Sequence, residues 1–326
     1  MVLLSMKRHP LFIMLGCLGA VLLLSLSLGQ QTINPFQLDP LQMKIVLELR
    51  LPRIVVALLM GGSLGVAGAI LQGVFRNPLA DPYVLGTSSG AALAAAFGLL
   101  ATQGTAVWLV PALALAGALV TSAVVVSLGR DAWGVRAERL LLAGVGMGFF
   151  LSAILMLVMS LAQADGVKRA LLWMAGDLAG ADWSVVPVAG LLMLIGFVLA
   201  LARRRGLNAL ALGDEVAFGL GLEPGRERAL LVLAASLLTA AAVALGGIVG
   251  FVGLMVPHGV RALVGADARR VLPLSAIGGG MLLCLADTVG RSVLPPVEIP
   301  AGVVTALIGA PWFLIMLRRT TNGGMR

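Results

Sequence analysis

Residues 229–264 read ALLVLAASLLTAAAVALGGIVGFVGLMVPHGVRALV. From Ala229 to Val260 there is no Asp, Glu, Lys or Arg. A helix rises about 1.5 Å per residue, so about 20 apolar residues cross the hydrocarbon layer of a membrane. The stretch 229–249 meets that length. Gly246, Gly247 and Gly250 then interrupt it, and the remainder, 251–264, carries Pro257 and is too short to cross alone. It reads as a partial or broken span, which is tolerated only where protein surrounds it.

Working outward, the same apolar grammar fills the chain. Its 326 residues are 60% apolar and 12% charged, with mean hydropathy +1.04. A soluble domain carries about 25% charged residues, and one core cannot absorb so much apolar surface without large exposed patches. The 42 glycines suit helices that must approach closely in lipid, where hydrophobicity does not hold them together. Segments 10–28, 52–75, 84–102, 107–128, 139–162, 184–202, 229–249, 251–264, 271–290 and 301–318 are read as apolar helices. The fold class is all-α, a polytopic membrane protein of about ten transmembrane helices, forming one transmembrane domain over 1–326. Lys7, Arg8 and His9 precede the first segment like a signal peptide's basic region. The apolar stretch is longer than such peptides use, so a retained helix is expected.

Lys and Arg set the sidedness of a membrane protein. With the N-terminus inside and strict alternation, 17 of the 23 basic residues fall inside. Lys44, Arg50, Arg53, Lys168, Arg169 and Arg291 remain outside. Both termini are expected in the cytoplasm. The net charge of +8 is therefore topology rather than a nucleic-acid surface. Cys17 and Cys284 lie in apolar runs with no metal-site spacing. Two loops are long enough for structure of their own: the outer loop 29–51, and the inner loop 203–228, RRRGLNALALGDEVAFGLGLEPGRER. The latter reads as one or two short helices with glycine caps. Its apolar residues cannot cross a bilayer and are expected to meet a protein, against the alternative of a helix lying on the membrane surface.

Several chemistries find no support. None of the three lysines, Lys7, Lys44 and Lys168, follows a glycine, so there is no P-loop. Gly86-Thr87-Ser88-Ser89-Gly90 fits the nucleophile-elbow pattern, but it opens an apolar helix rather than a strand-to-helix turn, and helix packing through small residues accounts for it. Ionisable groups deep in spans mark proton or ion paths. Asp287 is the deepest, and Arg291 four residues on is its expected partner. No catalytic residue and no metal site are assigned.

An ordered set of stretches resembles the permease family of binding-protein-dependent importers for cobalamin, haem and ferric siderophores. Leu49-Arg50-Leu51-Pro52-Arg53 opens the second span. Gly68-Ala69-Ile70-Leu71-Gln72 leads to Arg76-Asn77-Pro78-Leu79-Ala80-Asp81-Pro82 and Leu85-Gly86-Thr87-Ser88-Ser89-Gly90-Ala91. Arg139-Leu140-Leu141-Leu142-Ala143-Gly144-Val145 opens the fifth. Gly250-Phe251-Val252-Gly253-Leu254, Pro257-His258, Arg261, Ala286-Asp287, Arg291 and Glu298-Ile299-Pro300-Ala301-Gly302 follow in order.

The resemblance implies the type II ABC importer fold and a homodimer with the pathway at its interface, lined largely by the fifth helix. It also implies cytoplasmic ATP-binding cassette subunits that hold ATP and magnesium, this chain needing no cofactor, and a periplasmic substrate-binding protein. It implies a bacterial inner membrane, and import of a metal chelate by alternating access. By residue, it implies docking of the binding protein at Arg50, Arg53 and Arg291, with lipid headgroup contact or local pairing to Glu48 or Asp287 as the competing reading. Coupling to the ATPase falls on 207–224, at Leu212, Gly213, Asp214, Glu215, Ala217, Leu220, Gly221 and Leu222. A cytoplasmic gate falls at Asn77, Pro78 and Leu79, with the loop before Arg139 as companion. Members often carry His where this chain has Ala268. His258 is read as structural. A stand-alone ion- or proton-coupled transporter is the alternative.

Overall fold

The structure, a computed structural model, covers residues 10–102, 108–131 and 134–323, with side chains to 316. Lys7, Arg8, His9 and Arg326 lie outside the described residues, as do the side chains of Arg318 and Arg319 and part of the loop before Arg139.

Each of the ten apolar segments is a helix. In chain order the elements are α1 (Pro10–Ser27), α2 (Pro40–Ile45), α3 (Leu51–Val74), α4 (Thr87–Thr102), α5 (Leu109–Leu128), a hairpin of β1 (Arg130–Asp131) and β2 (Gly134–Val135), α6 (Ala137–Leu161), α7 (Ala164–Met174), α8 (Val186–Ala202), α9 (Arg204–Leu212), α10 (Asp214–Gly219), α11 (Pro224–Gly246), α12 (Val252–Val264), α13 (Ala268–Ser292) and α14 (Ala301–Gly323). By length and composition, Pro40–Val74, α5, α6, α11 and α13 can each cross a membrane. A sixth piece is α8 with α9, bent by 59°. α1, α4, α12 and α14 are apolar but shorter within the described residues. The ends of the bundle are called inner and outer after the charge bias.

The outer loop 29–51 is more ordered than its prolines suggest. Asp39 and Gln42 form a capping box that starts α2. The chain then passes through a π-turn, Val46–Arg50, directly into α3. Pro52 explains the loosening, because it has no N–H to return to a carbonyl one turn back. Two elements have no counterpart among the expected segments: the short hairpin after α5, and the amphipathic α7 after α6.

α3 is the axis of the bundle. It packs most extensively on α13 and also on α11 and α12. Contact is backbone to backbone: a Cβ added to Gly61, Gly65 or Gly68 would lie 2.2, 2.3 or 1.8 Å from the carbonyl oxygens of Gly279, Ser275 or Gly253. Glycine is thus required at this seam by steric approach. Gly90 of α4 and Gly117 of α5 cross in the same manner. Ser88 and Ser89, in the elbow-like run, are half-buried there, and Ser89 Oγ lies 3.5 Å from Ser152 Oγ.

Candidate functional sites at the two ends of the bundle

The broken span ties the middle of the molecule together. α11 stops at Gly246 and α12 starts at Val252, with Phe251 in the left-handed region at φ 67°. Inside a membrane the freed backbone groups need protein partners. Tyr83 supplies two at once: its hydroxyl donates to Val249 O at 3.0 Å and accepts from Val249 N at 3.0 Å. Pro257 lies within α12, and it deprives Gly253 O of its helical donor. Buried Gln72 replaces it, its Nε2 lying 3.2 Å from both Gly253 O and Leu254 O. Arg261 in turn donates to Gln72 Oε1 and to Ala69 O. His258 packs edge-on against Trp312, ring centroids 5.7 Å apart.

At the outer end Arg50, Arg53 and Arg291 come together, and all three are engaged within the chain. Arg53 faces Asp287, with Nε 2.8 and 2.9 Å from its two oxygens, and its Nη1 lies 2.7 Å from Glu298 Oε2. Arg50 donates to the carbonyls of Leu26 and Gln31, and Arg291 to that of Ser25. Arg291 Nε reaches Asp287 only at 3.6 Å, an ion pair without a hydrogen bond. Gly29 caps the cluster, where a Cβ would lie 3.2 Å from Arg50 Nη2 and 3.6 Å from Arg291 Nη1. The expected i,i+4 pair of Asp287 and Arg291 is present, but Asp287's closer partner is Arg53. Glu48 pairs with Lys44 at 3.9 Å, and no described ion pair joins it to an arginine. A cavity of about 370 Å³ opens beside the three arginines and Glu298.

At the inner end the loop 203–228 folds as the helix pair α9–α10. Gly213, at φ 125°, makes the turn between them, and Gly221, at φ 77°, closes the second. Both values fall where L side chains are strained. The pair is anchored on one side, with Ala217 fully buried, and bare on the other: Leu212, Phe218 and Leu220 are 71%, 73% and 67% exposed. Asn208 of α9 is clipped to the start of α13, its Nδ2 2.9 Å from Asp267 Oδ1 and its Oδ1 2.9 Å from Ala268 N. Asp267 also accepts from Arg269 N at 3.0 Å. That backbone bond first, and Asn208 second, hold its carboxyl below the usual range. Asp214 accepts from Arg228 Nη2 at 2.6 Å.

The segment Asn77, Pro78 and Leu79 is an exposed turn, and Arg76 just before it lies beside Gly213 of the pair, where a Cβ would be 3.5 Å from Arg76 Nη1. α3 ends at Val74 and Arg76 takes a left-handed φ of 51°. Asn77 Oδ1 accepts from Leu79 N at 2.9 Å, and Asp81 caps the following 3₁₀ turn, Pro82–Leu85. The expected sites thus fall into two groups, the outer arginines and an inner surface in which gate and coupling residues adjoin. Among the described residues no three His, Cys, Asp or Glu side chains gather as metal ligands do. Glu298 and Arg228 were not singled out by sequence. Glu298 was visible only as part of a motif, and Arg228 only as an inside charge.

A chain of apolar helices with a glycine seam, a broken span and a bare apolar helix pair at one end is a polytopic membrane protein. It belongs to the FecCD transport family, whose description matches residues 17–319. The chain is similar to an Fe(3+)-citrate import system permease of Bacillus subtilis, 41% identical over 274 residues covering 84% of this chain and 82% of the relative. It is 40% identical over 311 residues to a hemin transport system permease of Yersinia pestis, covering 93% and 91%. It is 42% identical over 274 residues to a cobalamin import system permease of Halobacterium salinarum, covering 84% and 73%. A solved structure described as an inward-facing conformation of a metal-chelate type ABC transporter superposes with a TM-score of 0.88 at 30% identity, covering 95% of this chain and 99% of that one.

Proposed function

We propose that the chain is the single-domain permease subunit of an ATP-driven importer that moves a large metal chelate (cobalamin or a ferric siderophore, then haem) from periplasm to cytoplasm. The observation that carries this reading is the α9–α10 pair. Its Leu212, Val216, Phe218 and Leu220 are exposed at the inner end, on a chain with no P-loop of its own. An apolar helix face presented to an aqueous side is stabilised by a partner protein. The partner is the cytoplasmic ATP-binding cassette subunit, which holds ATP and magnesium. Leu212, Gly213, Asp214, Glu215, Ala217, Leu220, Gly221 and Leu222 form the coupling surface, and Asn77, Pro78 and Leu79 the gate beside it.

Two copies of the chain assemble in the bacterial inner membrane with both termini in the cytoplasm. They meet along α6, whose exposed residues Leu142, Phe149 and Met156 recur every seven positions. The binding protein docks its carboxylates at the outer cavity beside Arg50, Arg53 and Arg291, where they would compete with the intrachain partners that hold these guanidinia. Named relatives that carry iron citrate, hemin and cobalamin support the chelate class.

The test is uptake of labelled cobalamin, a labelled ferric siderophore and labelled haem into proteoliposomes holding the permease, its ATPase and its binding protein. Uptake of one that stops when the ATPase is inactivated is expected. Uptake that continues without ATP hydrolysis would overturn the importer reading in favour of a stand-alone transporter.

A further inference from the structure

We propose that Arg228 is the positioning residue that carries movement of the α9–α10 pair to α6. It holds the carboxylate of Asp214 and the carbonyl of Val135 in one guanidinium. This rests on the reading that α9–α10 meet the ATPase.

The geometry is specific. Arg228 lies near the start of α11 and is 4% exposed. Its Nη2 donates to Asp214 Oδ1 at 2.6 Å and its Nη1 to Val135 O at 2.7 Å. Asp214 is the first residue of α10, and Val135 is buried two residues ahead of α6. The small hairpin that carries Val135 is itself seated: Arg136 N donates back to Gly129 O at 3.1 Å. Gly134, at φ 105°, rests on α11, where an added Cβ would lie 3.0 Å from Gly225 Cα.

Opposite this link α10 and α6 do not fill the space between them. A cavity of about 520 Å³ separates Glu215 and Val216 of α10 from Ala137, Glu138 and Leu141 of α6, and Arg228 forms part of its wall. Packed side chains transmit displacement because interiors are dense, and a void of this size does not. The hydrogen-bonded route from α10 to α6 crosses the gap through the two arms of Arg228. Arginine suits the role because its rigid fork donates in two directions from one plane, whereas lysine is a point charge on a flexible stem. α9 is held differently, by Asn208 at the start of α13. Motion of the pair therefore reaches α13 through Asn208 and α6 through Arg228.

The experiment compares the reconstituted complex with ATPase and binding protein for wild type, Arg228→Lys, Arg228→Met and Asp214→Ala, measuring complex assembly, ATP hydrolysis and uptake of the transported chelate. Asp214→Ala keeps the test informative if Arg228→Met does not fold, because it leaves Arg228 bonded to Val135. The two Arg228 variants are expected to assemble and hydrolyse ATP at near wild-type rates; Asp214→Ala, which lies on the coupling surface itself, is compared per assembled complex. Uptake per ATP should fall about tenfold in Asp214→Ala, as for loss of one charged hydrogen bond, at least as far in Arg228→Met, which loses both bonds, and less in Arg228→Lys. Unchanged uptake per ATP in Asp214→Ala would overturn the proposal, as would hydrolysis and uptake falling in parallel in an intact complex. The underlying coupling reading fails separately, if Phe218→Asp still assembles with the ATPase.

Discussion

α3 and α6 are both long, apolar and all but free of charge inside the membrane, yet in an 18-residue apolar stretch of each, 83% is buried within the chain in the span that includes α3 against 11% in α6. Hydropathy does not separate them. Side-chain size does: the buried helix presents Gly61, Gly65 and Gly68 to its neighbours, while α6 presents Leu142, Phe149 and Met156 outward. In lipid, burial of a helix is decided by how closely backbones approach rather than by apolar content. One helix is therefore a structural axis, and the other is a surface left for something else.

The contrast can be attacked first at the charged end of the α3–α13 seam. Asp287→Ala removes the carboxylate shared by Arg53 and Arg291 and leaves Arg53 only Glu298, and breaking a buried ion pair costs about 3 kcal/mol. Thermal unfolding in detergent should show this as the largest loss. Gly68→Ala comes next. Its Cβ would lie 1.8 Å from Gly253 O, and forcing the helices apart costs about 2 kcal/mol by the same measurement.

Asp267→Ala, where α13 begins, removes an N-cap worth about 1 kcal/mol. Its carboxyl titrates low in the folded chain, so the cap contributes fully above the ordinary Asp value of about 4. It is lost as pH falls through the lower folded value. The stability gap between wild type and variant should therefore hold from neutral pH down to about 4 and narrow only below it. Phe149→Ser on α6 is the smallest effect on the isolated chain, under about 0.5 kcal/mol. It should act instead on self-association, read by crosslinking in liposomes. A large loss of stability in that variant would show that α6 is not the free surface described above.

The helices were readable because an apolar run in a membrane leaves its backbone no alternative to a helix or a closed barrel. The break between α11 and α12 was readable from Gly246, Gly247 and Gly250 for the same reason. What repairs it was not. Tyr83 and Gln72 lie far from Val249 and Gly253 in sequence, and neither residue type announces a partner. The outer arginines show the limit most clearly. Their sidedness follows from charge counting, and Asp287 with Arg291 follows from helical spacing. Arg53 meets Asp287 only because α3 and α13 cross at glycines. The hairpin went unread because four residues are too few to show a period, and α7, though amphipathic, because it is too short and charged to register as an apolar span. Arg228 had no local signature, since its two acceptors belong to separate elements.

Tyr83 has one more consequence. A stretch outside regular secondary structure is expected to trade its amide hydrogens with solvent deuterium quickly, since little holds them. Val249 is the exception, because its N–H already has an acceptor in the phenol oxygen. In an isotope-exchange map Val249 should therefore stand out as a protected amide inside the break. The moment its amide begins to trade would date the separation of the 3₁₀ turn from the broken span, and it would do so without any label on the protein.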